Sequence, residues 1–316
     1  MGLLNRLARR AGFATAVAAA VLLSAMDSGS APAQSTRPQV AAAVSSGNAK
    51  LGVYDPAGTF GGASTLSIEH VYLPLIGVDL GSLRQAASYA ASRNRDLMVT
   101  VEPWSWDGRW NVANDQSFAD IVAGRRDKEI VSLCKAMDSL PTPVTIRWGH
   151  EMEAKTLRYA WTMLAPEVYI AGYRHFVGLC RQYAPNAQYM WSPLGDPSLA
   201  SFYPGDDVVD VTGFSVFALQ PYEQDHFGRD RNVEEIARER YERLMKYRKP
   251  IYIAELGCEG DRSYVEECLT ELRALGETLP ALAGIVYFND VEPVNWPGGY
   301  GRPDWRLPAD AFAAGN

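Results

Sequence analysis

Two glutamates close apolar runs that read as β-strands. Arg147-Trp148-Gly149-His150-Glu151 ends one, and Ile251-Tyr252-Ile253-Ala254-Glu255 ends the other. A pair of carboxylates can break an acetal. One gives its proton to the departing oxygen, and the other attacks the anomeric carbon or activates water. The same strand ends carry aromatic residues. Trp104 and Trp106 follow Glu102-Pro103, Trp191 precedes Ser192-Pro193, and Tyr222 and Trp296 sit in loops beyond the sixth and eighth runs. Sugar rings offer flat C–H faces to such rings and hydroxyls to polar neighbours. The set therefore predicts a glycoside hydrolase, with Glu151 as acid/base and Glu255 as nucleophile. His150, Arg147, Trp104, Trp106, Trp191, Tyr222 and Trp296 are the expected substrate contacts. If the two carboxyls stand about 5–5.5 Å apart, the outcome is retention through a glycosyl-enzyme. The acid needs a raised pKa, which burial beside Trp148 or Trp161 would supply.

Plainer readings stand beside these. Glu255 also reads as the strand-end partner of an arginine, and Glu151 as a helix-start carboxylate favoured by the dipole. His150 fits a satisfied core histidine, and the tryptophans fit packing. Glu102 reads as structural; Asp55, Asn289 and Asp290 are secondary sugar contacts. The four histidines (His70, His150, His175, His226) form neither His-x-x-x-His nor His-Glu-x-x-His, and Gly-x-Ser-x-Gly is missing from the sequence. Neither a metal nor a cofactor is expected.

Positioning such residues requires strands that end together. Candidate strands lie near 51–54, 69–75, 96–102, 143–149, 187–193, 208–217, 250–256 and 283–289. Runs such as Leu97-Met98-Val99-Thr100-Val101 suit strands buried on both faces of a parallel sheet. Helical periodicity falls between most of them, over 82–93, 127–139, 166–183, 232–247 and 261–275, with Pro166 placed to open one helix. Eight such units in 316 residues predict an α/β chain folded as a (β/α)₈ TIM barrel, a single domain over 50–316, with chemistry at the carboxyl ends of the strands. The alternative is an open doubly wound sheet, against which no Gly-x-Gly-x-x-Gly follows the first strand.

Residues 1–33 read as a secretory signal peptide. Arg6, Arg9 and Arg10 precede an Ala/Val/Leu-rich stretch and Ala31-Pro32-Ala33. Residues 34–49 read as a flexible lead-in. The protein is expected to be secreted, periplasmic or extracellular, off the membrane once the signal is removed, and monomeric. The signal holds three arginines and one aspartate, leaving 27 basic and 36 acidic residues and a net charge of −9. That balance argues against nucleic acid and for a neutral polymer. Export permits disulfides. Cys258 and Cys268 lie close enough in sequence to bridge a loop to the next helix. Cys134 and Cys180 fall in apolar helical patterns and read equally as core thiols.

At these residues the sequence resembles glycoside hydrolase family 26, which holds β-mannanases, some β-glucanases and β-1,3-xylanases among the clan A barrel glycosidases. The stretch 120–127 leading to Arg147-Trp148-Gly149-His150-Glu151-Met152 is similar to the family's signature. Tyr169, Tyr173 and Arg174 before Trp191-Ser192-Pro193, Tyr203-Pro204-Gly205-Asp206-Asp207, Val209-Asp210-Val211-Thr212-Gly213 and Ala254-Glu255-Leu256-Gly257 follow in the family's order, with Trp296 as a sugar-stacking tryptophan. The resemblance spans about Leu51 to Trp296. It implies the acid/base role for Glu151, the nucleophile role for Glu255 and a sugar-site role for His150. Two departures bear on specificity. Glu153-Ala154 stands where mannanases have Asn-Gly, adding a third carboxylate. Ser215-Val216-Phe217 stands where the family has Asp-x-Tyr, whose tyrosine touches the nucleophile, so that Tyr222 is the hydroxyl expected to reach in. The substrate is expected to be β-mannan or β-glucan, or an exopolysaccharide. A non-catalytic glycan-binding barrel and a polymer-remodelling transglycosylase are the rival functions.

Overall fold

The computed structural model describes residues 49–106, 116–156 and 158–313. The signal peptide and all but the last residue of the lead-in lie outside the described residues. Eight strands form a closed, wholly parallel barrel in sequence order. They are β1 (Lys50–Tyr54), β2 (Ile68–Ile76), β3 (Asp96–Ser105), β4 (Val144–Trp148), β5 (Gln188–Trp191), β6 (Val211–Leu219), β7 (Ile251–Glu259) and β8 (Leu282–Phe288). Helices surround them: α1 (Leu80–Ala91), α2 (Ser117–Val122), α3 (Asp127–Asp138), α4 (Pro166–Cys180), α5 (Gln220–Phe227), α6 (Val233–Met245) and α7 (Arg262–Thr278). This is the expected TIM barrel.

Local chemistry explains the boundaries. Asp79, Asn232 and Asp261 cap α1, α6 and α7 by accepting from backbone N–H groups of the first turn, and Pro166 opens α4 at a position that needs no donor. The strand–helix alternation is incomplete. β1 joins β2 through turns, and β5 joins β6 through a 3-10 segment, Pro197–Phe202. α2 and α5 were not legible as helices, because six and eight residues are too few to display a 3.6-residue period.

Period-two alternation sorts side chains between barrel interior and helix layer. Ile68, Met98, Met190, Val211, Ala254 and Val286 form an apolar plug inside the barrel. Polar residues follow two positions on: His70, Thr100 and Ser192, each fully buried. Arg147 joins them from β4, in register with Thr100. On the other face, Trp148 stacks on Phe176 at 5.2 Å and packs on Phe118 at 5.3 Å, clamping β4 to α4 and α2.

Both cysteine pairs are bridged. Cys258–Cys268 ties β7 to α7, and Cys134–Cys180 ties α3 to α4 with Cα atoms 5.4 Å apart. The core-thiol reading of Cys134 and Cys180 is thereby corrected. α3 and α4 pack side by side, so their two apolar faces bring the thiols together. Among the described residues, no helix is long and apolar enough to cross a membrane.

Gly172 on α4 faces the Phe118 ring so closely that a Cβ would enter its van der Waals radius, with Trp148 3.3 Å away. Gly172→Ala is expected to lower unfolding free energy by about 1–3 kcal/mol, read by urea denaturation. A neutral result would show that the α2–α4 seam yields without cost.

Candidate active site

β4 ends in a turn that aims Glu151. Gly149 and Glu151 both adopt left-handed backbone, at φ +53° and +54°, a conformation uncommon for a residue other than glycine. The Glu151 N–H is held by the Ser192 carbonyl at 2.9 Å. Its carboxylate accepts a 2.5 Å hydrogen bond from Ser215 Oγ on β6. Burial pushes the Glu151 pKa up, the charge of Glu255 adds to that, and Arg147 and Ser215 oppose it; the result is about 7.

Glu255 arrives from β7. The ladder to β6 passes from Phe214–Ile253 to Ser215–Glu255, and the ladder to β8 shifts over the same stretch. One β7 residue is skipped, so Glu255 turns inward immediately after the inward Ala254. It meets Arg147, whose Nη1 lies 2.5 Å from its Oε1. The guanidinium is itself fully buried and fixed by Ser192 Oγ at 2.9 Å and Thr100 Oγ1 at 3.3 Å. Tyr72 on β2 lies against the pair. Burial and the Glu255 charge both raise its phenol pKa, and its hydroxyl makes no aligned hydrogen bond.

His150 is fully buried with both ring nitrogens unpartnered. Burial, then the charges of Arg147 and Arg158, hold its pKa well below the usual value. It is therefore a neutral imidazole with one donor and one acceptor to offer. Tyr159 contacts it edge-on at 4.8 Å and stacks on Trp161 at 4.6 Å. The Trp161 indole donates to the His150 carbonyl at 2.6 Å. Trp104 packs edge-on against Trp161 at 5.1 Å. The indoles of Trp104 and Trp106 both donate to Glu102.

One expected contact falls elsewhere, and a second does not reach Glu255. Trp191 points into the helix layer against Tyr203 and Tyr247, at 5.0 and 5.3 Å. Strand parity requires this, because Met190 and Ser192 take the inward positions. Tyr222 does not hydrogen-bond Glu255; its ring stacks on His226 at 3.9 Å, near Trp296 and Tyr300. Trp296 lies in that rim cluster, edge-on to Phe217 at 5.9 Å. Of the secondary contacts, Asp55 and Asn289 bond each other at 3.1 Å and brace loops. Glu153 turns from the site. Its carboxylate accepts from the N–H groups of Leu194, Gly195 and Asp196, at 3.1, 2.8 and 3.2 Å.

Sequence reasoning missed Thr100, Ser192, Ser215, Tyr72 and Arg158. Only the first carried a signal, a polar residue alone within an apolar run. Among the described residues, no cluster of His, Cys, Asp or Glu is arranged to hold a metal ion.

Residues 103–256 match the sequence profile of glycosyl hydrolase family 26. A β-1,3-xylanase from a Vibrio species is 26% identical over 150 residues, covering 45% of this chain and 32% of its own. The match thus spans about a third of that relative's length. The solved structure of GH26C from Muricauda sp. MAR_2010_75 superposes with a TM-score of 0.62 at 14% identity, over 85% of both chains. A GH26 β-mannanase from Bacteroides ovatus gives 0.55 at 19% identity, over 80% of this chain and 79% of that one.

Removing the Glu255 charge should lower the Glu151 pKa, since its second-largest upward cause disappears while Arg147 stays. Carboxyl ¹³C titration of Glu255→Gln is expected to place Glu151 below about 7. An unchanged or higher value would show that the two carboxylates do not share one site.

Proposed function

Residues 103–256 belong to glycosyl hydrolase family 26, and on that premise we propose that the protein is a retaining glycosidase that cuts within a β-linked polysaccharide. Glu151 is the acid/base and Glu255 the nucleophile. The observation that carries this reading is the division of labour between the two carboxylates. Arg147 pairs with the Glu255 carboxylate at 2.5 Å, while burial and the Glu255 charge keep Glu151 protonated up to about pH 7. Pairs of carboxyl groups with opposed environments are how one site supplies both an acid and a nucleophile.

In the first step Glu255 attacks the anomeric carbon and Glu151 gives its proton to the leaving glycosidic oxygen. A covalent glycosyl-enzyme forms. Glu151, now ionised, takes a proton from water, and the water oxygen displaces Glu255 from the sugar. Ser215 steadies the carboxylate that Glu151 becomes. The unpartnered nitrogens of His150 and the free Nη2 of Arg147 are donors and acceptors for sugar hydroxyls, and Trp104, Trp106 and Trp296 offer ring faces. The family and the names of its relatives point to xylan, mannan or glucan. Two disulfides support the export that residues 1–33 imply.

Reducing-end release should be measured on β-1,3-xylan, β-mannan, mixed-linkage β-glucan and cellulose. One polymer is expected to be cut, with kcat/KM falling above about pH 7 as Glu151 loses its proton. Glu255→Gln should lose on the order of 10³-fold or more in kcat. A polymer bound equally by wild type and Glu255→Gln but cut by neither would make the protein a glycan-binding barrel. Transfer to an added acceptor in place of water would make it a transglycosylase.

A further inference from the structure

The loops after β4 and β8 rise from opposite walls, four strands apart in a ring of eight. They nevertheless meet. Arg158 Nη2 lies 3.0 Å from Glu292 Oε2. A contact between opposite walls crosses the barrel mouth, where Glu151 and Glu255 stand. The charge of Arg158 acts on Glu102, Glu151 and His150, and those of Glu292, Glu151 and Glu255 act on Arg158. Arg158 thus sits within the field of the catalytic pair while its partner belongs to the far loop.

The two ends are anchored unequally. Glu292 is 1% exposed and fixed. Its second oxygen accepts from the Trp305 indole at 3.2 Å, its N–H donates to the Pro303 carbonyl at 2.9 Å, and its carbonyl accepts from Arg302 Nε at 2.6 Å. Arg158 is one quarter exposed and lies 5.1 Å over the Tyr159 ring. The ion pair is not aligned as a hydrogen bond, and the buried Nε of Arg158 has no acceptor. Charge alone closes the contact, and a donor is left over beside the cleft. Polysaccharide hydroxyls are suited to take that donor, and a polymer reaching both glutamates must pass the line between the loops.

We propose that Arg158 and Glu292 form a strap across the active-site mouth that a polysaccharide must part, and that Arg158 then donates to the glycan in place of Glu292. The inference rests on the glycosidase reading above. A short glycoside occupies one side of the strap and leaves it closed. Opening costs the polymer what a part-exposed ion pair is worth, about a two- to fivefold effect.

Hydrogen–deuterium exchange tests the strap without activity. Glu292→Gln, which keeps an acceptor for Trp305, and Arg158→Ala should each raise exchange in both loops together, while Arg158→Lys keeps them protected. Exchange that rises in one loop only, or in neither, overturns the strap. Kinetics test its role. Glu292→Gln should raise kcat/KM on the polymer about two- to fivefold and leave p-nitrophenyl β-glycosides of xylose, mannose and glucose unchanged. Arg158→Ala should raise KM on the polymer relative to Glu292→Gln, because the hydroxyl donor is gone. Equal changes on polymer and small glycosides would mean that Arg158 acts only through the field on the glutamates. If wild type cuts neither polymer nor aryl glycoside, the glycosidase reading fails, and the exchange data still decide whether the strap exists.

Discussion

The buried ion pair of Arg147 and Glu255 is the constraint from which the site follows. The partners lie 108 residues apart, on strands three places apart in the ring. Two ions removed from water are tolerated only when paired and hydrogen-bonded, so Thr100 and Ser192 must face inward to complete the guanidinium shell. That fixes the parity of β3, β4 and β5. β7 cannot satisfy the same requirement by regular alternation, because Ala254 already holds the inward place in the apolar plug. The skipped residue resolves the conflict and delivers Glu255 one position later. With one anion held there, a second carboxylate nearby is driven toward its protonated form. Glu151 is that carboxylate. Its acid character is therefore a consequence of the Arg147–Glu255 pair as much as of its own burial.

The barrel and the two glutamates were legible because they rest on local signals. Apolar runs of strand length, helical periodicity and two glutamates at run ends all survive in a single sequence. The partners of those glutamates were not legible, because they depend on register between distant strands. Nothing near Ser215 indicates that its hydroxyl meets Glu151, 64 positions earlier. Trp191 shows a different failure. Counting in twos from Met190 or Ser192 places it in the helix layer, so the information was present and only its position at a strand end misled. The thiols of Cys134 and Cys180 lay on two apolar helix faces, and sequence alone did not reveal that the faces adjoin.

The two departures from the family pattern have different physical meanings. Glu153 occupies a place where a third carboxylate beside Glu151 and Glu255 would be costly, and three backbone N–H groups draw it away. That arrangement ties the turn holding Glu151 to the loop after β5, so the substitution buttresses the site rather than entering it. Phe217 removes a hydroxyl from the Glu255 side of the barrel. The ring joins Phe288, Trp296 and Trp305 in an aromatic cap, while the buried Tyr72 phenol on β2 lies within the field of Glu255 without an aligned hydrogen bond.

Burial supplies the chemistry and also limits access to it. The raised pKa of Glu151 and the neutral state of His150 both have exclusion of water as their largest cause. An open groove wide enough for a polymer would hydrate these groups and return Glu151 toward an ordinary carboxylate. On the proposed glycosidase reading, the protein needs a mouth that closes over the glutamates and opens for a chain. A contact made only by charge between two loops meets both demands, since it excludes water when made and yields to a ligand that supplies equivalent hydrogen bonds. The imperfect alignment of Arg158 on Glu292 follows the same logic, because a fully satisfied buried pair would cost too much to part.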